Sequence, residues 1–290
     1  MEAIMKLNEL FLKDRRVFSF EIYPPKRDET MEGITSVLGE LSELTPDFIC
    51  VAYGAGGTTA DASTCKVASM IKNQYHIESM AHVACVNSTK SEIDVILQQL
   101  KDNEIENILA LRGDINPNLP RRDDFHYASD LVSYIKEHGD FYLSGACYPE
   151  VHVDAKDMQE DIEHLKIKVE AGVDHLISQL FFDNDLFLAF REKVRDANIH
   201  IPIEAGIMAV SNKKQFECMV KMCGTSIPQK LAKVLQRYEY DEDSLREAGI
   251  EYAIDQMEGL LEHGVDGLHL FTMNNTYIAT QISKEVKRWL

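Results

Sequence analysis

Val17-Phe18-Ser19-Phe20-Glu21-Ile22-Tyr23-Pro24-Pro25-Lys26 decides the fold by what it holds and what it lacks. Its first six residues are nearly continuous in Val, Phe and Ile, the pattern of a strand buried on both faces. The turn that follows carries two prolines and no glycine. A doubly wound dinucleotide-binding sheet would place its glycine-rich phosphate turn there. Neither G-x-G-x-x-G nor G-x-x-x-x-G-K-[ST] occurs anywhere in the chain. The open doubly wound sheet is therefore the second choice, and a closed barrel the first.

Working outward, seven more such runs follow: residues 48–53, 80–86, 108–112, 141–148, 175–182, 201–206 and 267–272. Their ends recur at about 30-residue intervals, the length of one strand-plus-helix unit. The last interval is about twice as long and predicts an additional helix. Residues 227–238 and 241–263 both read as helical, the second closed by Gly264. Asp154, Asp183 and Ser211 or Asn212 are expected to open three other helices. The second of these has Leu186, Phe187, Phe190 and Val194 facing the core. Glu170-Ala171-Gly172-Val173-Asp174-His175-Leu176 is echoed by Glu262-His263-Gly264-Val265-Asp266-Gly267-Leu268, as if one βα joint were reused. The expected fold is an α/β (β/α)₈ TIM barrel, one domain over residues 1–290, with an extra helix before the last strand.

The charge balance is 30 basic against 48 acidic residues, a net −18. Such a chain repels phosphate backbones, so nucleic acid and anionic membrane are poor partners. No apolar stretch approaches the roughly 20 residues that span a bilayer. Residues 1–7 are too charged for a signal peptide, so a cytoplasmic protein is expected. The six cysteines form no C-x-x-C pair. Cys50, Cys85 and Cys147 lie in strand runs and read as buried thiols of a reducing compartment. No His or Cys pair has ligand spacing supported by a third ligand, so no metal is expected.

A barrel of this kind works at the C-terminal ends of its strands. Glu21 lies there between Phe20 and Ile22, where dehydration would raise its pKa and fit it to donate a proton. The alternative is a carboxylate that caps or pairs with Lys26. Asp114 follows a strand through Arg112-Gly113; the glycine lets backbone approach a ligand, and the arginine can offset a phosphate. A plain turn with an Arg–Asp ion pair is equally open. Gly54-Ala55-Gly56-Gly57-Thr58-Thr59 could cradle a phosphate, though such turns are common. His82 alone reads as a satisfied core histidine. Asp161, His164 and Lys168 share one helical face, by itself a solvated one.

The combination says more than the parts. Phe20-Glu21-x-x-Pro24-Pro25, Tyr53-Gly54-Ala55, Ala110-Leu111-Arg112-Gly113-Asp114, Tyr127-Ala128-Ser129-Asp130-Leu131, Tyr148-Pro149-Glu150-Val151-His152, Gln179-x-Phe181-Phe182-Asp183 and Pro202-x-x-x-Gly206-Ile207 run in order along nearly the whole chain. Together they closely resemble the methylenetetrahydrofolate reductase family. The resemblance implies an FAD-containing barrel that reduces 5,10-methylenetetrahydrofolate to 5-methyltetrahydrofolate with hydride from NADH or NADPH. It implies Glu21 as general acid and Asp114 as the residue that tunes the flavin. Glu21, Asp114, Gln179 and Phe271 become the folate contacts. Tyr53, His82, Leu111, Arg112, Gly113, Asp114, Tyr127, Ala128, Tyr148, His152, Asp161, His164 and Lys168 become the FAD shell. A homo-oligomer is also implied.

Three positions depart from the family's bacterial pattern. Ala52 replaces a threonine, Lys213 an aromatic that would stack on nicotinamide or folate, and Asn275 an arginine that would meet the folate tail. Two further readings stay open: a flavoprotein reduced by a partner protein, and another pterin-binding barrel of one-carbon chemistry.

Overall fold

The computed structural model describes residues 7–12, 15–25, 31–53, 62–115 and 122–290. Eight parallel strands close a barrel in chain order. They are β1 Val17–Ile22, β2 Phe48–Val51, β3 Glu78–Ala84, β4 Asn107–Leu111, β5 Tyr142–Cys147, β6 His175–Ser178, β7 Ile203–Ile207 and β8 Gly267–Phe271. Each lies within a few residues of an expected run, because a strand covered on both faces must be apolar throughout. Closure is direct: β1 pairs with both β2 and β8, placing Glu21 beside Cys50 and Phe271.

The described helices are α1 Asn8–Phe11, α2 Met31–Ser42, α3 Ala62–Tyr75, α4 Lys90–Asp102, α5 Ala128–His138, α6 Met158–Glu170, α7 Asn184–Asp196, α8 Lys213–Cys223, α9 Gln229–Arg237, α10 Glu242–Glu262 and α11 Thr276–Val286. The long interval between β7 and β8 holds α8, α9 and α10, so the extra helical content falls where expected. Gly264 follows α10 at φ +64°, a left-handed stop that glycine adopts without strain. Asn212 caps α8 by accepting from the Gln215 N–H at 2.9 Å, and Asp183 caps α7 from Asp185 at 3.0 Å.

Two local expectations need correction. The cap of α6 is Asp157, which accepts from the Glu160 N–H at 3.0 Å; Asp154 lies three residues early and goes to Arg112 instead. Leu186 is 37% exposed. The buried stripe of α7 runs through Phe187, Phe190 and Val194, spaced at three and four, and Leu186 falls on its flank.

The main core lies between the sheet and the helical ring, with Phe20, Ile22, Val51, Val83 and Leu268 meeting Leu38, Ile71, Leu97 and Ile282. A second cluster fills the barrel's lower interior with Val17, Phe48, Cys50, Met80, Leu109, Tyr142 and Ile177, and Leu7 and Leu10 plug it from below. A third sits under α8, α9 and α10. Cys50, Cys85 and Cys147 are buried and all six thiols are free.

Candidate active site

Polar side chains run through the barrel interior alongside its apolar cluster, Glu21 level with Cys50 and Glu204 with Ile177. Strand alternation aims every second side chain inward, and several of those are charged or hydroxylic: Ser19 and Glu21 on β1, His82 on β3, Ser144 on β5, His175 on β6, Glu204 on β7 and His269 on β8. All seven are buried. A charged group in such a place must find partners or lose its charge.

Glu21 sits at the upper end of this column. His82 Nε2 and His269 Nε2 each stand 3.5 Å from its Oε2, at ion-pair distance but short of a hydrogen bond, and among the described residues both nitrogens lack any other partner. Burial alone would raise the Glu21 pKa, as the sequence suggested. The two imidazoles outweigh that, and the carboxyl lies below its ordinary value. This is a correction to the expected direction: the sequence shows Phe20 and Ile22 beside Glu21, whereas the imidazoles arrive from β3 and β8. His82 is itself pushed below its ordinary value, by burial first and against the pull of Glu21. Among the described residues its Nε2 finds no hydrogen bond, so His82 differs from the satisfied core histidine its sequence context suggests.

The backbone around Glu21 is braced by the loop after β8. Thr272 Oγ1 donates to the Glu21 carbonyl at 2.7 Å. Asn274 accepts from the Tyr23 N–H at 2.8 Å and donates to its carbonyl at 3.0 Å. Phe271 packs edge-on against His269 with ring centroids 5.1 Å apart, and the chain of β7 approaches it so closely that a Cβ on Gly206 would lie 2.8 Å from its ring.

Asp114 lies exposed at the mouth, beyond Leu111, Arg112 and Gly113. Gly113 has φ +80°, and a Cβ there would press on the Ala84 side chain at 2.9 Å. Arg112 donates to Asp154 at 2.8 Å, so its ion pair is not with Asp114. Burial and then the Asp114 charge push the Cys223 thiol up to about 11, which brings the end of α8 to the same rim. Gln179, after β6, accepts from the Leu180 N–H at 2.8 Å.

The α6 face is not solvated as expected. Asp161 is buried and accepts from the His152 N–H at 2.9 Å. Lys168 is partly buried and donates to the Ala146 carbonyl at 2.6 Å, and burial lowers its pKa. His164, on the same face, is exposed. The seven-residue spacing of Asp161 and Lys168 turns both inward against β5, and His164 falls outside the contact. Tyr148 and His152 meet edge-on at 4.5 Å. Tyr127 is 62% exposed at the start of α5, directly before Ala128; Tyr53 ends the β2 segment. The run from Gly54 to Thr59 and Lys26 lie outside the described residues.

These groups suit an FAD. Arg112 and Lys168 are cations beside a rim otherwise rich in carboxylates, Tyr127 presents an open aromatic face, and Gly113 keeps the β4 turn free of a side chain. The chemistry fits a pyrophosphate flanked by two flat ring systems.

Two departures acquire structural roles. Lys213 pairs with Glu239 and stands 3.9 Å from Glu217, so its charge is taken up within α8 and its neighbours. Asn275 caps α11, accepting from the Ile278 N–H at 3.1 Å. Ser19, His175, Glu204 and His269 were not singled out from sequence. The signal was present: polar residues at alternate positions of otherwise apolar strands.

Comparison with known proteins gives the same assignment. A family model for methylenetetrahydrofolate reductase matches residues 6–287. "Methylenetetrahydrofolate reductase (NADH) 1" of Arabidopsis thaliana is 35% identical over 94% of this chain and 49% of its own. The chain thus spans about half the length of such plant relatives. The 5,10-methylenetetrahydrofolate reductase of Escherichia coli K12 is 36% identical over 91% of this chain and 88% of its own. Among solved structures, an uncharacterized Clostridium thermocellum protein that binds two copies of 5-methyl-5,6,7,8-tetrahydrofolic acid superimposes with a TM-score of 0.68. It is 15% identical, covers 98% of this chain and 99% of its own, and supports the barrel fold. By the extent of the family match and the identity to its full-length bacterial relatives, this chain belongs to the methylenetetrahydrofolate reductase family.

Proposed function

We propose that the chain reduces 5,10-methylenetetrahydrofolate to 5-methyltetrahydrofolate, with NADH or NADPH as reductant and an FAD held at the barrel mouth. The observation that carries this reading is Glu21: a buried carboxyl at the C-terminal end of β1, with two imidazoles on one oxygen. When bound, the flavin supplies hydride chemistry; the protein supplies position and field. Arg112 and Lys168 hold the pyrophosphate. His152, Asp161 and Tyr148 shape the wall behind it, with His82, Leu111, Gly113, Tyr127 and Ala128 around the remainder and Tyr53 and His164 at its margin. Gln179 and Phe271 orient the folate, the first by hydrogen bonding, the second by stacking.

Glu21 protonates the leaving nitrogen of the folate's five-membered ring and so opens it to the acceptor of hydride. In the ligand-free chain the imidazoles keep Glu21 ionised at neutral pH. Desolvation is already the strongest single influence on this group. A bound pterin removes more water and drives its pKa upward, toward the protonated form the reaction needs.

One experiment tests both halves. Acid-treated protein releases FAD, and Glu21→Gln keeps that flavin while folate reduction falls about 10²–10⁴-fold, the usual worth of a general acid. Protein that neither carries nor takes up FAD defeats the flavin reading. Folate turnover within a few-fold of the parent in Glu21→Gln removes the acid role.

A further inference from the structure

The column of polar side chains does not end at Glu21. Ser19 Oγ lies 2.7 Å from His269 Nδ1 and 2.8 Å from Glu204 Oε1. His269 Nε2, on the other side of that ring, faces Glu21 at 3.5 Å. Three strands, β1, β7 and β8, thus string Glu21, His269, Ser19 and Glu204 into one row through the barrel axis. Glu204 is fully buried. Its second oxygen lies 3.0 Å from His175 Nε2, aligned too poorly for a hydrogen bond, and among the described residues neither atom has another partner. Ser144 Oγ meets His175 Nδ1 at 2.9 Å.

We propose that Glu204 stores the proton that Glu21 delivers, and that His269 and Ser19 carry it between them. The proposal rests on the acid role of Glu21 and assigns its source of protons. The row has two internally consistent polarities. In one, Glu204 is protonated and donates to Ser19, Ser19 donates to His269 Nδ1, and His269 Nε2–H points at an ionised Glu21. In the other, each bond is reversed: Glu21 is protonated and faces a bare Nε2, His269 Nδ1–H donates to Ser19, and Ser19 donates to an ionised Glu204. The heavy-atom positions serve both, since a hydroxyl and an imidazole each donate on one side and accept on the other. The states differ by one proton moved from Glu204 to Glu21, with His269 and Ser19 unchanged in total protonation.

The groups around each end favour the first state before folate binds. Burial pushes Glu204 up to about 8, assisted by the Asp47 and Asp266 charges and opposed by His269 and the Ser19 hydrogen bond. His175, facing it from β6, is held neutral by burial, down to about 3. At Glu21, His82 and His269 favour the carboxylate. Arrival of the pterin penalises that carboxylate and draws the proton across; the 3.5 Å gap to His269 is the contact that must tighten, as catalytic contacts commonly do on binding. Each turnover consumes one proton at the folate nitrogen and leaves Glu204 ionised. Solvent restores that proton before the next turnover. A cavity of about 380 Å³ opens below the barrel floor, lined by Phe11 and Tyr142, whose ring centroids lie 4.6 and 6.4 Å from that of His175.

Isotope-edited infrared spectroscopy on the flavin-loaded chain with ¹³C-glutamate provides the test. The parent should show a protonated carboxyl at pH 7 that fades as pH passes about 8 and is missing from Glu204→Gln. Adding 5-methyltetrahydrofolate should exchange it for a band missing from Glu21→Gln. Glu204→Gln and Ser19→Ala should keep the flavin, slow folate reduction at least tenfold, and flatten its alkaline pH limb. A parent with no such carboxyl at pH 7 overturns the proposal, even if Glu204→Gln does not fold. So do folate rates and pH profiles in both variants equal to the parent. Activity surviving in Glu21→Gln defeats the acid role; activity lost there but kept in Glu204→Gln and Ser19→Ala defeats the relay alone.

Discussion

Glu21 and Glu204 are both buried glutamates on barrel strands, and their surroundings push them in opposite directions. Two imidazoles reach Glu21 and, against its burial, lower it; burial raises Glu204, with the Asp47 and Asp266 charges assisting and His269 and Ser19 only partly opposing. Such divergent pairs mark sites where protons are moved. Asp114 differs from both in lying exposed at the rim, where its charge reaches Cys223 and Tyr148. In the proposed enzyme that charge disfavours the anionic reduced flavin. Asp114→Asn is therefore expected to raise the flavin midpoint potential and slow delivery of hydride to folate. Spectroelectrochemical titration of the two proteins decides it; an unchanged or lower potential in the variant counts against the role.

At the scale of elements, α10 seats closely against the loop after β7. Gly249 lies in the interior of α10, where glycine ordinarily costs about 1 kcal/mol relative to alanine. Here an added Cβ would fall 1.8 Å from the Val210 carbonyl oxygen. Propensity and packing thus oppose each other, and packing wins, because backbone atoms at that distance cannot be accommodated without shifting a whole helix. Gly249→Ala should lower stability by about 1–3 kcal/mol, the range of overpacked cores, despite alanine's better helix propensity. The denaturant midpoint measures it, and a variant as stable as the parent would show that α10 is free to move. The same logic explains the caps. Asp157 wins over Asp154 because only its carboxylate stands over the free N–H groups at the start of α6.

For the whole molecule, the buried His175–Glu204 pair makes stability depend on pH. His175 is held down to about 3 from an ordinary 6.5, so the unfolded chain takes up a proton that the fold refuses, and stability falls as pH drops below about 6.5. Glu204 is raised to about 8 from an ordinary 4.5, so the fold keeps a proton that the unfolded chain releases, and stability falls as pH rises from about 4.5 to about 8. Between about 4.5 and 6.5 the two slopes cancel; from about 6.5 to 8 only the Glu204 loss remains, about 2 kcal/mol. Glu204→Gln should abolish that alkaline decline relative to the parent. Urea unfolding at pH 6.5 and 8 gives the comparison, and identical slopes in the two proteins would mean that Glu204 is ionised in the fold.

The sequence by itself determined the barrel. Continuous apolar runs at regular intervals admit few architectures, because each must be covered on both faces, and the glycine-free turn after Val17–Ile22 removed the main rival. It also determined Glu21 and Asp114 as candidates, since the strand ends could be read off and the family resemblance matched them residue by residue. Those signals are local. What only the tertiary structure decided is non-local: His82 and His269 converging on one oxygen of Glu21, Arg112 choosing Asp154 over Asp114, Asp161 and Lys168 turning inward, and Glu204 meeting Ser19 across 185 positions of chain. A buried carboxyl's proton affinity is set by what stands within a few ångströms of it. In a closed barrel those neighbours come from strands far apart in sequence, brought together only when β8 pairs with β1.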